Sequence, residues 1–269
     1  MASFSVVNNI TAAYAQTNLH GTQMGLQKAL SRLSSGFRIN QSGDDAAGLA
    51  VANRYRTDAS VLSQGIRNAN DGLSDLQIKD GALNNIATLL DRLATLATQA
   101  ASGKDGLDMA ALNTEFTKVK GEIDREAAVA GIDSQSSFSV FVSNTANATD
   151  GMVAGTVGAV TADDLGLTSS ATIDSQEHAI AAVASVASAV STLGGVQNAV
   201  GSLQNNLQFA VSLAQSQLVN TKAAESRVRD ANVAEEAANM TRFNILTQSG
   251  IAALSQANQT SSSVLYLLQ

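Results

Sequence analysis

The side chains that could do chemistry in this sequence are few. His20 and His178 are its two histidines, and cysteine is absent. A zinc site of the HExxH kind puts two imidazoles one helical turn apart with a glutamate between them, and neither histidine has such a neighbour. The missing cysteines close off thiolate ligation and disulfides. No G-x-S-x-G elbow presents a nucleophilic serine, so a Ser–His–Asp triad has no supporting signature. Phosphate cradles of the P-loop or G-x-G-x-x-G type are missing too. Asp44 and Asp45 stand side by side and could be imagined on a cation. They precede an apolar helical pattern, however, and capping by Asp44 or Ser42 with compensation of the helix dipole accounts for them more simply. Asp80 interrupts an apolar stripe; it reads as a register-setting polar residue or, preferably, as the point where the stripe faces water. The sequence thus offers no catalytic residue, no cofactor site and no metal site.

What it offers instead is helix. Leu19, Gln23, Leu26, Leu30, Leu33 and Phe37 alternate four and three apart near one end, and Gly250, Leu254, Ala257, Ser261, Val264 and Leu268 do so at the other. That is the seam of a helix packed along another helix. The spacing predicts a helix over 5–38, a break at GFRINQSGDD, a short helix over 46–58 and a long one over 59–101. The long one would span about 65 Å at 1.5 Å per residue. Its stripe runs Leu62, Ile66, Ala69, Leu73, Leu76, Asp80, Leu83, Ala87, Leu90, Ala94 and Ala97. A third helix over about 112–127 follows the turn SGKDGLD. Residues 131–175 turn rich in Gly, Ser, Thr and Val, and FSVFV and MVAGTVGAV read as strands of a small hairpin. A short helix near 176–193, a turn at Gly194–Gly195, a striped helix from Val196 and a terminal helix from Val233 complete the chain. The predicted fold class is mainly α: a long antiparallel helical rod, terminal coiled-coil helices, and a small β-hairpin region in the middle.

Composition narrows the function classes. The 269-residue chain carries a formal charge of −7, and no Lys/Arg run reverses it, which argues against a nucleic-acid surface. Only 14 % of residues are charged, against about 25 % in average globular proteins. A polar, weakly charged surface suits packing against more protein. Proline is absent, as suits uninterrupted helices. No run approaches the roughly 18 consecutive apolar residues of a membrane span. MASFSVVNNITAAYAQ lacks the basic region and apolar core of a secretory leader, which by itself points to the cytoplasm.

LSSGFRINQSGDDAAGLAVANR, residues 33–54, resembles the N-terminal signature of bacterial flagellins. ESRVRDANVAEEAANMTRFNILTQSGIAALSQANQ, from residue 225, resembles their C-terminal signature. The resemblance covers roughly the first 130 and last 80 residues. It implies a structural subunit, not an enzyme, that polymerises into the flagellar filament for motility. It implies an inner coiled-coil domain of 1–44 and 228–269, and a rod domain of 45–227 with a β/variable region at 131–175. It also implies export through the flagellum without a cleaved signal, which corrects the cytoplasmic expectation. The implied partners are many copies of the same chain, an export chaperone, the filament cap and hook–filament junction proteins. O-linked glycans on Ser/Thr of 134–175 belong to the same expectation. A hook–filament junction protein, or a non-polymerising flagellin-like binding protein, would share the helical ends; the two full signatures favour flagellin.

On this reading the subunit interface is Leu19, Leu26, Leu30, Leu33, Phe37, Leu254, Ala257, Val264 and Leu268. Arg38, Asp44, Arg227 and Arg229 are polar anchors at the inter-domain joint. The end stripes, interrupted by Gly21, Gly25 and Gly250, are expected to order only when neighbouring subunits arrive. Some flagellins are sensed by a host innate immune receptor, and Arg92, Leu96 and Glu115 match residues of that surface. Ala94 and Thr95 stand where sensed flagellins tend to carry charge.

Overall fold

The computed structural model describes residues 9–103, 108–143, 151–168 and 170–266, with side chains described as far as Thr260. Among the described residues there are five helices: α1 (Ile10–Ser35), α2 (Ala46–Ala101), α3 (Met109–Ala130), α4 (Gln176–Arg229) and α5 (Val233–Tyr266). Strands β1 (Ser136–Phe141) and β2 (Met152–Val157) pair antiparallel, with Phe138 opposite Gly155. Met1–Asn8, Lys104–Leu107 of the SGKDGLD turn and Asn144–Asp150 of the NTANATDG turn lie outside the described residues. Two compact units result. One comprises 1–57 with 221–269; the other comprises 58–220.

Several predicted boundaries are corrected. The helices expected over 46–58 and 59–101 are one helix of 56 residues. The turn expected at Gly194–Gly195 is helix, and α4 runs through it for 54 residues. Two glycines cost a helix interior about 2 kcal/mol, but Leu193 and Val196 on either side are buried in the core and offset that. The first helix stops at Ser35 because Gly36 takes a left-handed conformation (φ 74°) and returns its N–H to the Arg32 carbonyl. Phe37 therefore lies beyond the helix and forms a β-bridge with Asp230. The cap of α2 is Asp45, whose Oδ1 accepts the Gly48 N–H at 2.8 Å, not Asp44 or Ser42.

In the 58–220 unit, α2 buries every third and fourth residue: Gly65, Ala69, Gly72, Leu76, Lys79, Leu83, Ile86, Leu90, Leu93, Ala97 and Ala100. The expected stripe shares one position per heptad with this line; Leu62 is buried as well, and its remaining members, such as Leu73 and Ala87, flank the line half-buried. Lys79, not Asp80, occupies the polar place in the seam, with its stem buried and its ammonium 3.1 Å from Asp75. α3 adds Phe116, Ile123 and Ala127 to the core, and α4 adds a line from Ala179 to Ala214. The hairpin packs where α2 has no side chain. A Cβ on Gly72 would stand 2.8 Å from Val140 Cγ2, and one on Gly65 would overlap the Val142 backbone. Gly155 of β2 faces Leu203 of α4 just as closely.

Beyond β2 the chain is not strand, as MVAGTVGAV had suggested, but a strap lying along α3. Three α3 side chains hold its backbone in antiparallel order. Asp124 accepts the Ala162 N–H at 2.8 Å, Lys120 donates to the Thr168 carbonyl at 2.6 Å, and Asn113 accepts the Ile173 N–H at 3.0 Å. Val160, Leu165, Leu167 and Ile173 of the strap are buried beneath it.

By length and composition, α4 could cross a membrane: an 18-residue window has a mean hydropathy of 1.8 and is 28 % buried. Interleaved Ser, Thr and Gly break its consecutive apolar runs, while its Ala, Val, Ile and Leu residues keep the mean high.

Candidate subunit interface

The two terminal helices meet within one chain. α1 and α5 run antiparallel, with Asn9 Nδ2 donating to the Ala257 carbonyl at 3.0 Å and Arg32 Nη1 donating to Glu236 Oε1 at 3.0 Å. Between these ends the helices approach closely at two glycines. A Cβ on Gly25 would lie 2.7 Å from the Phe243 ring, and one on Gly250 would lie 3.1 Å from Leu19 Cδ1. Thus Gly25 is not merely a weak point of α1; it is the notch that receives Phe243.

The seam on α1 is Ala12, Ala15, Leu19, Thr22, Leu26, Ala29 and Leu33. It keeps the predicted four–three alternation through Leu19, Leu26 and Leu33, but Gln23 is exposed and Leu30 is 46 % exposed. A leucine at the adjoining heptad place had disguised Ala29, the one fully buried residue of the helix. On α5 the seam is Glu236, Met240, Phe243, Thr247, Gly250, Leu254 and Ala257. Val264 lies in α5 beyond the described side chains, as does Ser261, and Leu268 lies outside the described residues.

Only one face of each helix is used. Away from the α1 seam, Ile10, Tyr14 and Met24 are 58 %, 70 % and 56 % exposed. At 100° per residue they share a second line, on the side of α1 opposite the seam. Ile245 (60 %) stands opposite the α5 seam, with Leu246 (46 %) and Ile251 (54 %) on its flanks. A helix pair apolar on both sides of its own contact has further surface to bury.

The loop after α1 is tied to the end of α4. The Arg38 N–H donates to the Arg229 carbonyl at 2.6 Å, and Arg38 Nη2 donates to the Val228 carbonyl at 2.9 Å. The Ala231 N–H returns to the Gly36 carbonyl at 2.9 Å. The Arg229 guanidinium stacks 4.2 Å over the Phe37 ring. Asp44 Oδ1 is 2.7 Å from Lys28 Nζ, and that hydrogen bond, with the Asn40 N–H behind it, holds the carboxyl below its ordinary value of 3.8. Arg38, Arg229 and Asp44 therefore each secure this loop, whereas Arg227 is exposed and not drawn into the cluster.

In the other unit, Arg92 and Glu115 pair across α2 and α3, with Nη2 2.5 Å and Nε 3.0 Å from Oε1. Leu96 is 1 % exposed, so it belongs to the core and not to any surface with them. Neither histidine enters a catalytic arrangement. His20 is exposed on α1, and His178 pairs with Asp174 at 2.6 Å on the surface at the start of α4, holding that carboxyl low. Among the described residues no three His, Cys, Asp or Glu side chains gather to hold a metal.

Comparison with known proteins agrees with this helical arrangement. Residues 6–139 match the bacterial flagellin N-terminal helical region, and residues 177–268 match the bacterial flagellin C-terminal helical region. The flagellar filament 33 kDa core protein of Treponema phagedenis is 33 % identical over 282 residues, covering 97 % of this chain and 99 % of that protein. Flagellin FlaB2 of Treponema pallidum is 33 % identical with the same coverage. A flagellin of Halalkalibacterium halodurans is 34 % identical over 272 residues, covering 97 % and 98 %. On these matches along nearly its whole length, the chain belongs to the bacterial flagellin family.

Proposed function

We propose that this chain is a structural subunit that self-assembles into the bacterial flagellar filament, and that the unit of 1–57 and 221–269 is its inner, polymerising part. The carrying observation is the two-sided character of the α1–α5 pair. One apolar line is spent within the chain, and a second (Ile10, Tyr14 and Met24 on α1; Ile245 on α5) stays exposed. In a polymer this second line meets the terminal helices of neighbouring copies. Leu30, exposed beside the seam, belongs to that outer contact, while Leu19, Leu26, Leu33, Leu254 and Ala257 act through the pair within the chain. Phe37, Arg38, Asp44 and Arg229 hold the loop after α1 against the end of α4 within that unit.

So thin a pair gains little from its own burial, since Ala29 and Glu236 are its only fully buried seam residues among those described. Its helices therefore gain most of their order from neighbours. The subunit reaches the cell exterior by the flagellar export route, with the chaperone, cap and junction partners that route supplies. Any recognition by a host innate immune receptor falls on the exposed Arg92–Glu115 pair, without Leu96. The test is salt-induced polymerisation of the purified chain, followed by electron microscopy. Long filaments from the intact chain, and none from Tyr14→Glu or Met24→Glu, are expected. Filaments formed equally well by both variants would remove this face from the interface, and a wild-type chain that stays monomeric would remove the polymer reading.

A further inference from the structure

With no cysteine, the five methionine thioethers are the only sulfur in this chain, and sulfur is what a peroxide attacks. Met1 lies outside the described residues. Met109 packs half-buried against the core of the 58–220 unit, and Met240 sits half-buried in the α5 seam. Met24 and Met152 are the open ones, at 56 % and 39 % exposure. Met152 stands at the start of β2, opposite Phe141.

Met24 stands where a change of polarity is felt most. Ile10, Tyr14, Thr17, Gly21 and Met24 follow one another four and three apart on the side of α1 opposite the seam, all exposed. Thr17 and Gly21 are small, and nothing lies within 4 Å of a Cβ on Gly21, so the helix does not screen its own thioether. One turn on, Lys28 is drawn to Asp44 at 2.7 Å, which makes Met24 the last apolar member of the line. Thioether sulfur is a weak acceptor that can be buried without a partner, whereas oxidation makes the side chain polar. On this line the hydroxyl nearest to it, that of Thr17, already donates to the Ala13 carbonyl at 3.0 Å.

We propose that Met24 is an oxidation site through which a peroxide-class oxidant blocks assembly of this chain. The inference rests on the polymer reading. The sulfur lone pair attacks one peroxide oxygen, the S–O bond forms and the O–O bond breaks. Sulfur loses two electrons, and the proton of the transferred hydroxyl passes to the departing hydroxide, which leaves as water. The product is the sulfoxide, which methionine sulfoxide reductases return to the thioether. The free chain presents Met24 and an assembled chain covers it, so the same oxidant spares a filament already built.

In the test, the purified full-length chain is treated with hydrogen peroxide. Peptide mass mapping locates the sulfoxide, and sedimentation reads the critical concentration for salt-induced polymerisation. Sulfoxide is expected at Met24 before Met109 and Met240. The critical concentration is expected to rise about tenfold or more, as follows from burying an unpaired polar group in an apolar contact. That rise should track the Met24 sulfoxide fraction as the peroxide dose increases, and methionine sulfoxide reductases A and B together should reverse it. Peroxide applied to finished filaments should leave Met24 as the thioether. Met24→Leu and Met152→Leu are each compared with their own untreated chain; peroxide should leave the first at its untreated value and shift the second as it shifts the wild type. A Met24→Leu chain shifted as far as the wild type overturns the inference. So does a wild type that carries the Met24 sulfoxide and polymerises at its untreated concentration; both results leave the polymer reading standing. An untreated wild type that forms no filament overturns the polymer reading itself.

Discussion

Gly65→Ala and Gly81→Ala are chemically identical changes on one helix, yet opposite effects are expected. Both residues lie inside α2, where replacing glycine by alanine strengthens a helix by about 1 kcal/mol. At Gly81 nothing lies within 4 Å of the new Cβ, so that gain is kept. At Gly65 the Cβ would stand 2.9 Å from the Val142 Cα, with the carbonyl carbon and oxygen nearer still. Those are backbone atoms of a segment held by the Val142 N–H to Gly151 carbonyl bond, so they cannot rotate aside. The hairpin must lift, partly uncovering Phe138 and Val142, which are 8 % and 2 % exposed. Overpacking with backbone movement costs about 1–3 kcal/mol, and partial loss of two buried side chains adds about 1–2 kcal/mol. After the helix gain, a net loss of about 2 kcal/mol remains. At roughly 2–4 °C per kcal/mol, Gly65→Ala should melt about 4–8 °C lower and Gly81→Ala about 2–4 °C higher than the parent. Thermal unfolding of the full chain followed by circular dichroism reads both. A Gly65→Ala chain that melts at or above the parent would refute the account of the hairpin seat.

The other expectations concern the terminal unit. Removing the residues after Asn239 deletes the partner of α1, and sedimentation should then show a soluble chain that does not polymerise; normal filaments would misplace the interface. Glu236→Ala leaves Arg32 partly buried beside no carboxylate, with its Nε already unpartnered, and should cost about 1–3 kcal/mol in the α1–α5 pairing; amide exchange along α1, compared with the parent, reads the loss. Asp44 has a depressed pKa, so its contribution is present above its ordinary value of 3.8 and fades as pH falls through the lower folded value. Exchange in the 36–45 loop should therefore rise on acidification below about pH 4, and Asp44→Asn should remove that dependence. A loop that loosens at the same pH in Asp44→Asn would assign the transition to another group.

Much of the fold could be read from spacing, and the errors share a cause. Alternation of four and three finds a helix and its general inward side, but α2 buries a band rather than a line, and largest side chains do not mark its centre. Leu73 and Ala87 looked central and are flanking; Gly65, Gly72 and Lys79 looked marginal and are central. The signal that could have found them is glycine recurring seven apart inside a strong helix, which only a neighbour lying close to the backbone explains. Ala29 was overlooked beside Leu30 for the same reason. The false turn at Gly194–Gly195 came from weighing local propensity without the burial of Leu193 and Val196. Family likeness puts Leu96 on a surface, whereas its spacing from Leu93 and Ala100 sets it among the apolar residues of α2, where it is buried. Of the polar anchors, Arg38 and Arg229 act largely through backbone carbonyls and an aromatic face, partners that are invisible until the chain is folded.

The strap over α3 has a practical meaning. Asn113, Lys120 and Asp124 hold it by peptide N–H and carbonyl groups, so the grip does not depend on which side chains the strap carries outward. The buried Val160, Leu165, Leu167 and Ile173 fix its course, with Asp164 accepting from Thr161 and with Gly166 in a left-handed turn, while the exposed Asp163 side chain bears no such duty. That makes the strap a place where foreign sequence can be grafted and displayed once on every subunit of a polymer, with the register of the fold guarded from beneath.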